Sequence, residues 1–160
     1  MQPPPSGLWG LPLDLLRTLR GYDPDVRNNR AMARALMRKL GYGPDKHLAL
    51  TVGLNITETA VDDPAPAFYE NYVCGAMRNY TGYCNREVDR MVDEQSAESD
   101  VAKRKQMVWA IEKKLADDDV RPILFYTRAA NCHYPKVKGL ITQVNSIYNG
   151  QRFEDLWLDN

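Results

Sequence analysis

Apolar residues recur along this chain with two different periods, and the switch between them divides it into elements. Leu11, Leu15 and Leu19 fall every fourth residue with Leu16 beside them, which predicts a short amphipathic helix. Pro12 is tolerated only in a first helical turn, so it marks the start, and Gly21 marks the end. A second helix is predicted after Pro24, with Asp25 as its N-cap and Gly41 at C′. Val26, Ala33, Leu36, Met37 and Leu40 line one face of it. Arg27, Arg34 and Arg38 lie together to one side, and Arg30 interrupts the apolar stripe. From His47 to Thr57 the period becomes two. Leu48, Leu50, Val52, Leu54 and Ile56 share one parity, which predicts a strand with one face in a core. Its length exceeds the usual roughly 5–6 residues.

The second half returns to helical spacing. Asp62-Asp63-Pro64-Ala65-Pro66 has the chemistry of a turn. Phe68 to Tyr83 reads as a short helix followed by an irregular loop. Asn85 is predicted to cap a helix whose inner face is Val88, Met91 and Val92. Ser99 or Asp100 opens the longest helix, with Val101, Val108, Ile111 and Leu115 inward and Trp109 on its flank. Asp117, Asp118 and Asp119 crowd its C-terminal end, where the helix dipole disfavours negative charge. Strands are predicted at Ile123–Thr127 and Leu140–Val144, and the closing RFEDLWLD is expected to pack back on the domain. The expected fold is α/β or α+β, a small mixed sheet flanked by helices. It forms one domain over residues 1–160, with 1–24 as an extension and short helix.

Composition narrows the classes. At 44% hydrophobic the chain can bury a core, and a domain of this size buries roughly 70% of its unfolded surface. Lys+Arg and Asp+Glu both number 21. That balance argues against a nucleic-acid-binding domain, which carries a basic surplus. No apolar run approaches the roughly 18 residues of a membrane span, and no basic-then-apolar leader opens the chain.

Candidate chemistry is sparse. Asp62 and Asp63 could do acid/base work or hold a cation, or they could cap the next turn or helix. His47, Cys132 and His133 match no zinc spacing, so no metal is expected; the alternative is a surface His and a buried Cys. There is no GxSxG and no Gly-rich phosphate loop, and the two histidines sit in no constellation, so neither catalysis nor a cofactor is expected. Tyr69, Tyr72, Tyr80, Tyr83, Tyr148 and Trp157 could line a cleft, but such residues more often pack a domain edge. Asn55-Ile56-Thr57 and Asn79-Tyr80-Thr81 match the glycosylation sequon. Cys74 and Cys84 share a loop and are either bridged or reduced.

The stretches DDP…FYENY…C…NYTGYCN, NSIYNG and RFEDLWLD together resemble the C-terminal end of a solute-binding protein of ABC importers, of the dipeptide/oligopeptide/nickel class. The segment GYDPDVRNNRAMARALMRKLGYGPD is similar to the part that precedes this lobe's strand. The resemblance implies one lobe of a two-lobed receptor, over residues 25–160, with an internal segment missing between strands like LALTV and VGLNIT. It implies a disulfide between Cys74 and Cys84. It places Asn55, Thr57, Glu58, Thr59, Asp62 and Asp63 at or near the ligand. In peptide-binding members an aspartate holds the peptide ammonium; the matching position here is Ala60, which points away from a free-amine peptide. The implied partners are a peptide-like or other small solute and a membrane permease. The implied location is the periplasm, with the export signal in a part this chain lacks. A lobe without its counterpart exposes apolar surface, so a homodimer is a second expectation.

Overall fold

The computed structural model describes residues 8–50, 62–123, 130, 132–141 and 152–159. The chain divides into two compact units, one of residues 1–13 with 58–160 and one of residues 14–57. The described residues are helix-rich with a single two-stranded antiparallel sheet, a mixed α+β composition.

The smaller unit holds α1 (Leu13–Leu16, which begins just before the unit boundary) and α2 (Val26–Lys39). Asp25 caps α2 as its spacing predicts, its carboxylate accepting from the Asn28 N–H at 2.9 Å. Gly41 sits at φ +82°, a left-handed position open to glycine at no steric cost. The Tyr42 N–H then reaches the Met37 carbonyl and the Gly41 N–H reaches that of Arg38, both at 3.0 Å. These two bonds satisfy carbonyls that the helix end would otherwise leave orphaned. No residue of α2 is buried. After it, His47 to Leu50 form no strand, and Leu50 is 72% exposed. The remainder of the predicted 47–57 strand lies outside the described residues. Alternation alone builds no strand; a neighbour must take its backbone hydrogen bonds and cover its apolar face.

The larger unit is built on α3 (Pro64–Asn71), α4 (Arg86–Ala97) and α5 (Val101–Asp117). Helix α3 starts four residues earlier than predicted, because Asp63 is an N-cap and Pro64 occupies the first helical position. Val88 and Val92 of α4 meet Val108, Ile111 and Leu115 of α5, with Phe68, Tyr72, Trp9 and Val120 completing one buried cluster. Burying each such side chain contributes about 1.5–3 kcal/mol. Val101 departs from the predicted inner face and stands 55% exposed.

Helix α5 ends by geometry as well as charge. Asp119 takes a left-handed φ of 51°. The Val120 N–H bonds the Leu115 carbonyl at 3.2 Å and the Asp119 N–H that of Ala116 at 3.1 Å. Val120 thereby returns to the core beside Leu115, the apolar contact that accompanies this cap.

The sheet is β1 (Val137–Lys138) against β2 (Trp157–Leu158), a pair the predicted strands did not include. Lys136 extends it by accepting from the Asp159 N–H at 2.8 Å. Gly139, at φ +79°, lies so near the turn that precedes β2 that a Cβ there would stand 2.1 Å from the Asp155 carbonyl oxygen. The predicted strands at Ile123–Thr127 and Leu140–Val144 fall largely outside the described residues. The closing segment forms a 3-10 turn at Phe153–Asp155 before β2, and Phe153, Trp157 and Leu158 remain exposed.

Cys74 and Cys84 form a disulfide with their Cα atoms 4.4 Å apart. It closes the loop between α3 and α4, which Asn79 fills from within by donating to the Val73 carbonyl at 3.2 Å and the Tyr83 carbonyl at 2.6 Å. Asn79 therefore spends both amide protons on the fold, which leaves its sequon unsuited to a glycan. Replacing both Cys74 and Cys84 by serine is expected to lower stability by about 3 kcal/mol, chiefly by freeing the unfolded chain. A urea titration should show the midpoint fall; an unchanged midpoint would mean that the loop's hydrogen bonds hold it without the bridge.

Candidate functional site

The predicted site residues fall into two groups. Asn55, Thr57, Glu58 and Thr59 lie outside the described residues. Asp62 and Asp63 are described, and adjacent carboxylates turn out to do different things.

Asp63 is committed to the fold. One of its oxygens accepts from the Ala65 N–H at 2.9 Å and caps α3. Both oxygens also accept from the Arg104 guanidinium, Nη1 to Oδ2 and Nη2 to Oδ1, each at 2.8 Å. This fork is the strong form of a charge-assisted bond, because two parallel donors meet two parallel acceptors. Burial pushes the Asp63 carboxyl up, but the Arg104 hydrogen bonds, the Ala65 N–H and the Arg104 charge outweigh it. The carboxyl therefore lies below its usual range.

Arg104 is the residue that sequence patterning missed. It sits four, seven and eleven residues before Val108, Ile111 and Leu115, so it occupies the buried stripe of α5. A lone cation on such a stripe is the signal that could have found it. Its guanidinium has three kinds of neighbour. Besides Asp63, its Nε donates to the Gln95 backbone carbonyl at 3.0 Å and the Gln95 side-chain oxygen at 3.2 Å. It also lies over the Trp9 ring, 4.8 Å from the centroid. Trp9 in turn donates from Nε1 to the Asp62 carbonyl at 3.0 Å. Trp109, on the flank of α5, donates to the Trp9 and Gly10 carbonyls at 3.2 and 3.1 Å.

Asp62 is left as the available carboxylate. Its backbone carbonyl is held by Trp9, but its side chain is exposed and has no hydrogen-bond or ion-pair partner among the described residues. Desolvation, and then repulsion from Asp63, raise its pKa above the ordinary aspartate value. The arrangement thus offers one solvent-facing carboxylate on a backbone tied to Trp9. It can accept hydrogen bonds from a cationic or N–H-bearing group. No described nucleophile or general base stands beside it.

The predicted aromatic set disperses. Tyr72 is in the core beneath Arg121, whose guanidinium lies 5.2 Å from its ring centroid. Tyr83 donates to Asp118 at 2.7 Å, and burial followed by that carboxylate pushes its phenol up to about 12. Tyr69 donates to Asp93 at 2.7 Å. Tyr80 and Trp157 are exposed, and Tyr148 lies outside the described residues. Cys132 is exposed rather than buried, and so are His47 and His133. No cluster of metal-ligating residues occurs among the described residues. No described helix is long and apolar enough to cross a membrane. Comparison of the chain with protein-family models, with characterised proteins and with solved structures found no significant match.

The two aspartates should separate by mutation. Asp63→Ala is expected to cost about 2 kcal/mol, from the lost cap at about 1 kcal/mol and a guanidinium left without its fork. Asp62→Ala should stay within about 0.5 kcal/mol. Because the folded Asp63 pKa is depressed, its contribution is complete above the unfolded value of 3.8 and fades as pH falls through the lower folded value. Thermal melts between pH 5 and pH 2 should therefore show a steeper acid loss in the parent than in Asp63→Asn; parallel curves would contradict the pairing.

Proposed function

We propose that this chain is a solute-binding component, or a fragment of one, of an ABC importer, located in the periplasm and capturing a peptide-like or other small solute without chemistry on it. The observation that carries the reading is the ordered set Asp62-Asp63-Pro64, the Cys74–Cys84 loop and the two helices after it. This is the order in which the resembling stretches occur in that receptor class. The disulfide is consistent with an oxidising compartment. The exposed Asp62 supports a role as an anchor for a cationic or N–H-bearing group, with Asn55, Thr57, Glu58 and Thr59 as its proposed neighbours. Asp63 supports that role indirectly, by fixing the backbone on which Asp62 stands.

Receptors of this kind hold solute between two lobes that close by a hinge. Residues 25–160 of this chain, read as one lobe, would supply one side. If the contacts of a micromolar two-lobed site divide evenly, one side retains about half of the roughly 8.2 kcal/mol, which corresponds to about millimolar affinity.

The test is hydrogen exchange of residues 55–63 against a panel of peptides, amines, sugars and nickel ion. Slowed exchange with one solute class at about millimolar concentration, lost in Asp62→Ala, is expected. Nanomolar binding would overturn the one-lobe reading. Unchanged exchange across the whole panel would overturn solute capture.

A further inference from the structure

Helix α2 combines two features that nothing above uses. Its apolar stripe is uncovered: Val26, Met32, Leu36 and Leu40 are 54, 56, 56 and 68% exposed. Its charge is of one sign, with Arg27, Arg30, Arg34, Arg38 and Lys39 and no acidic residue between Val26 and Leu40. All five cations are exposed, and none has an ion-pair partner among the described residues. The balanced charge of the whole chain hides this asymmetry. Residues 14–57 carry eight Lys and Arg against four Asp and Glu, and the rest of the chain carries thirteen against seventeen.

We propose that α2 is a membrane-surface helix that lies in the headgroup layer of an anionic bilayer. Its apolar stripe enters the acyl boundary and its arginines meet lipid phosphates. At 100° per residue, Met32, Leu36, Leu40, Ala33, Val26 and Met37 cover an arc of about 140°. Arg30, which borders the stripe rather than interrupting it, and then Arg34, Arg27 and Arg38 follow along one edge of that arc, and Lys39 flanks the other. Long cationic side chains bordering an apolar stripe can lie along it and carry their charge up to the headgroups. An interfacial helix has this pattern: a strong apolar face, a basic polar face and modest overall hydrophobicity.

The same facts weigh against other covers. A second α2 packed on the first would set two arginine edges together with no acid to separate them. The stripe also offers six positions, against the roughly 20–30 residues a side of a standard interface. A nucleic acid would satisfy the arginines but leave the leucines and methionines in water. An anionic lipid surface takes both at once. The proposal stands apart from the receptor reading, since it uses no residue of the solute site.

The test uses the full chain and vesicles of equal parts phosphatidylglycerol and phosphatidylcholine, with pure phosphatidylcholine as control, read by co-sedimentation. Binding to the anionic vesicles that weakens with salt is expected. Replacing Arg34 and Arg38 together by alanine should weaken it about thirtyfold, at about 1 kcal/mol for each cation near the surface. Leu36→Asp should abolish it. Because these residues are exposed, the variants should keep the parent's melting temperature, which separates lost docking from lost folding. No binding to the anionic vesicles would overturn the proposal. So would binding indifferent to Leu36→Asp, equal retention by duplex DNA, or a solution dimer that Leu36→Asp dissolves.

Discussion

The larger unit depends on one half-buried fork, the guanidinium of Arg104 on the carboxylate of Asp63. It joins the first turn of α5 to the N-cap of α3 across 41 residues of sequence. The same guanidinium ties in α4 through Gln95 and carries the Trp9 ring on its face. Trp9 then fixes the Asp62 carbonyl, and Trp109 fixes the Trp9 backbone. A charge placed on an apolar stripe costs desolvation, and only a partner of matched shape with its remaining donors satisfied offsets that. Here Nε, Nη1 and Nη2 each find an acceptor and the face meets a ring, so a charged residue stands where the packing of α3, α4 and the start of the chain converge.

That convergence also explains why adjacent aspartates differ. Asp63 is drawn inward because one carboxylate can cap a helix and receive a fork at the same time. Asp62 stays exposed, and desolvation followed by the charge of Asp63 raises its pKa. The result is an exposed anion whose own carbonyl is held by Trp9 and whose neighbour is held by Arg104. The disulfide loop contributes in the same direction, since it limits how far the end of α3 and the start of α4 can separate.

The smaller unit follows opposite rules. It has well-formed caps at both ends of α2 and no buried residue along it. A helix of this length is marginal by propensity alone, so an uncovered stripe is free energy that packing has not yet taken up. The charge asymmetry gives that stripe a direction. A surface with apolar and anionic character together satisfies it, whereas like-charged copies do not.

The sequence by itself determined the local punctuation of this protein. Asp25 and Asn85 cap the helices their spacing assigns, Asp100 is the one of the two candidates that caps α5, and Gly41 ends α2, because capping and left-handed turns are decided by a few neighbouring residues. The inner faces of α4 and most of α5 were equally legible from their period. Tertiary structure decided the rest. Arg104 became central, Trp9 entered the core, Val101 was left outside, and two carboxylates of identical chemistry took separate roles. The predicted alternation at His47 to Leu50 yielded no strand there, while Val137–Lys138 and Trp157–Leu158 paired without a pattern long enough to announce them. The physical reason is common to all of these. A cap or a helical period is closed by residues within a few positions of one another. A guanidinium fork, a strand pair or the cover over an apolar face is closed by groups far apart in the chain, and their approach is written in no local pattern.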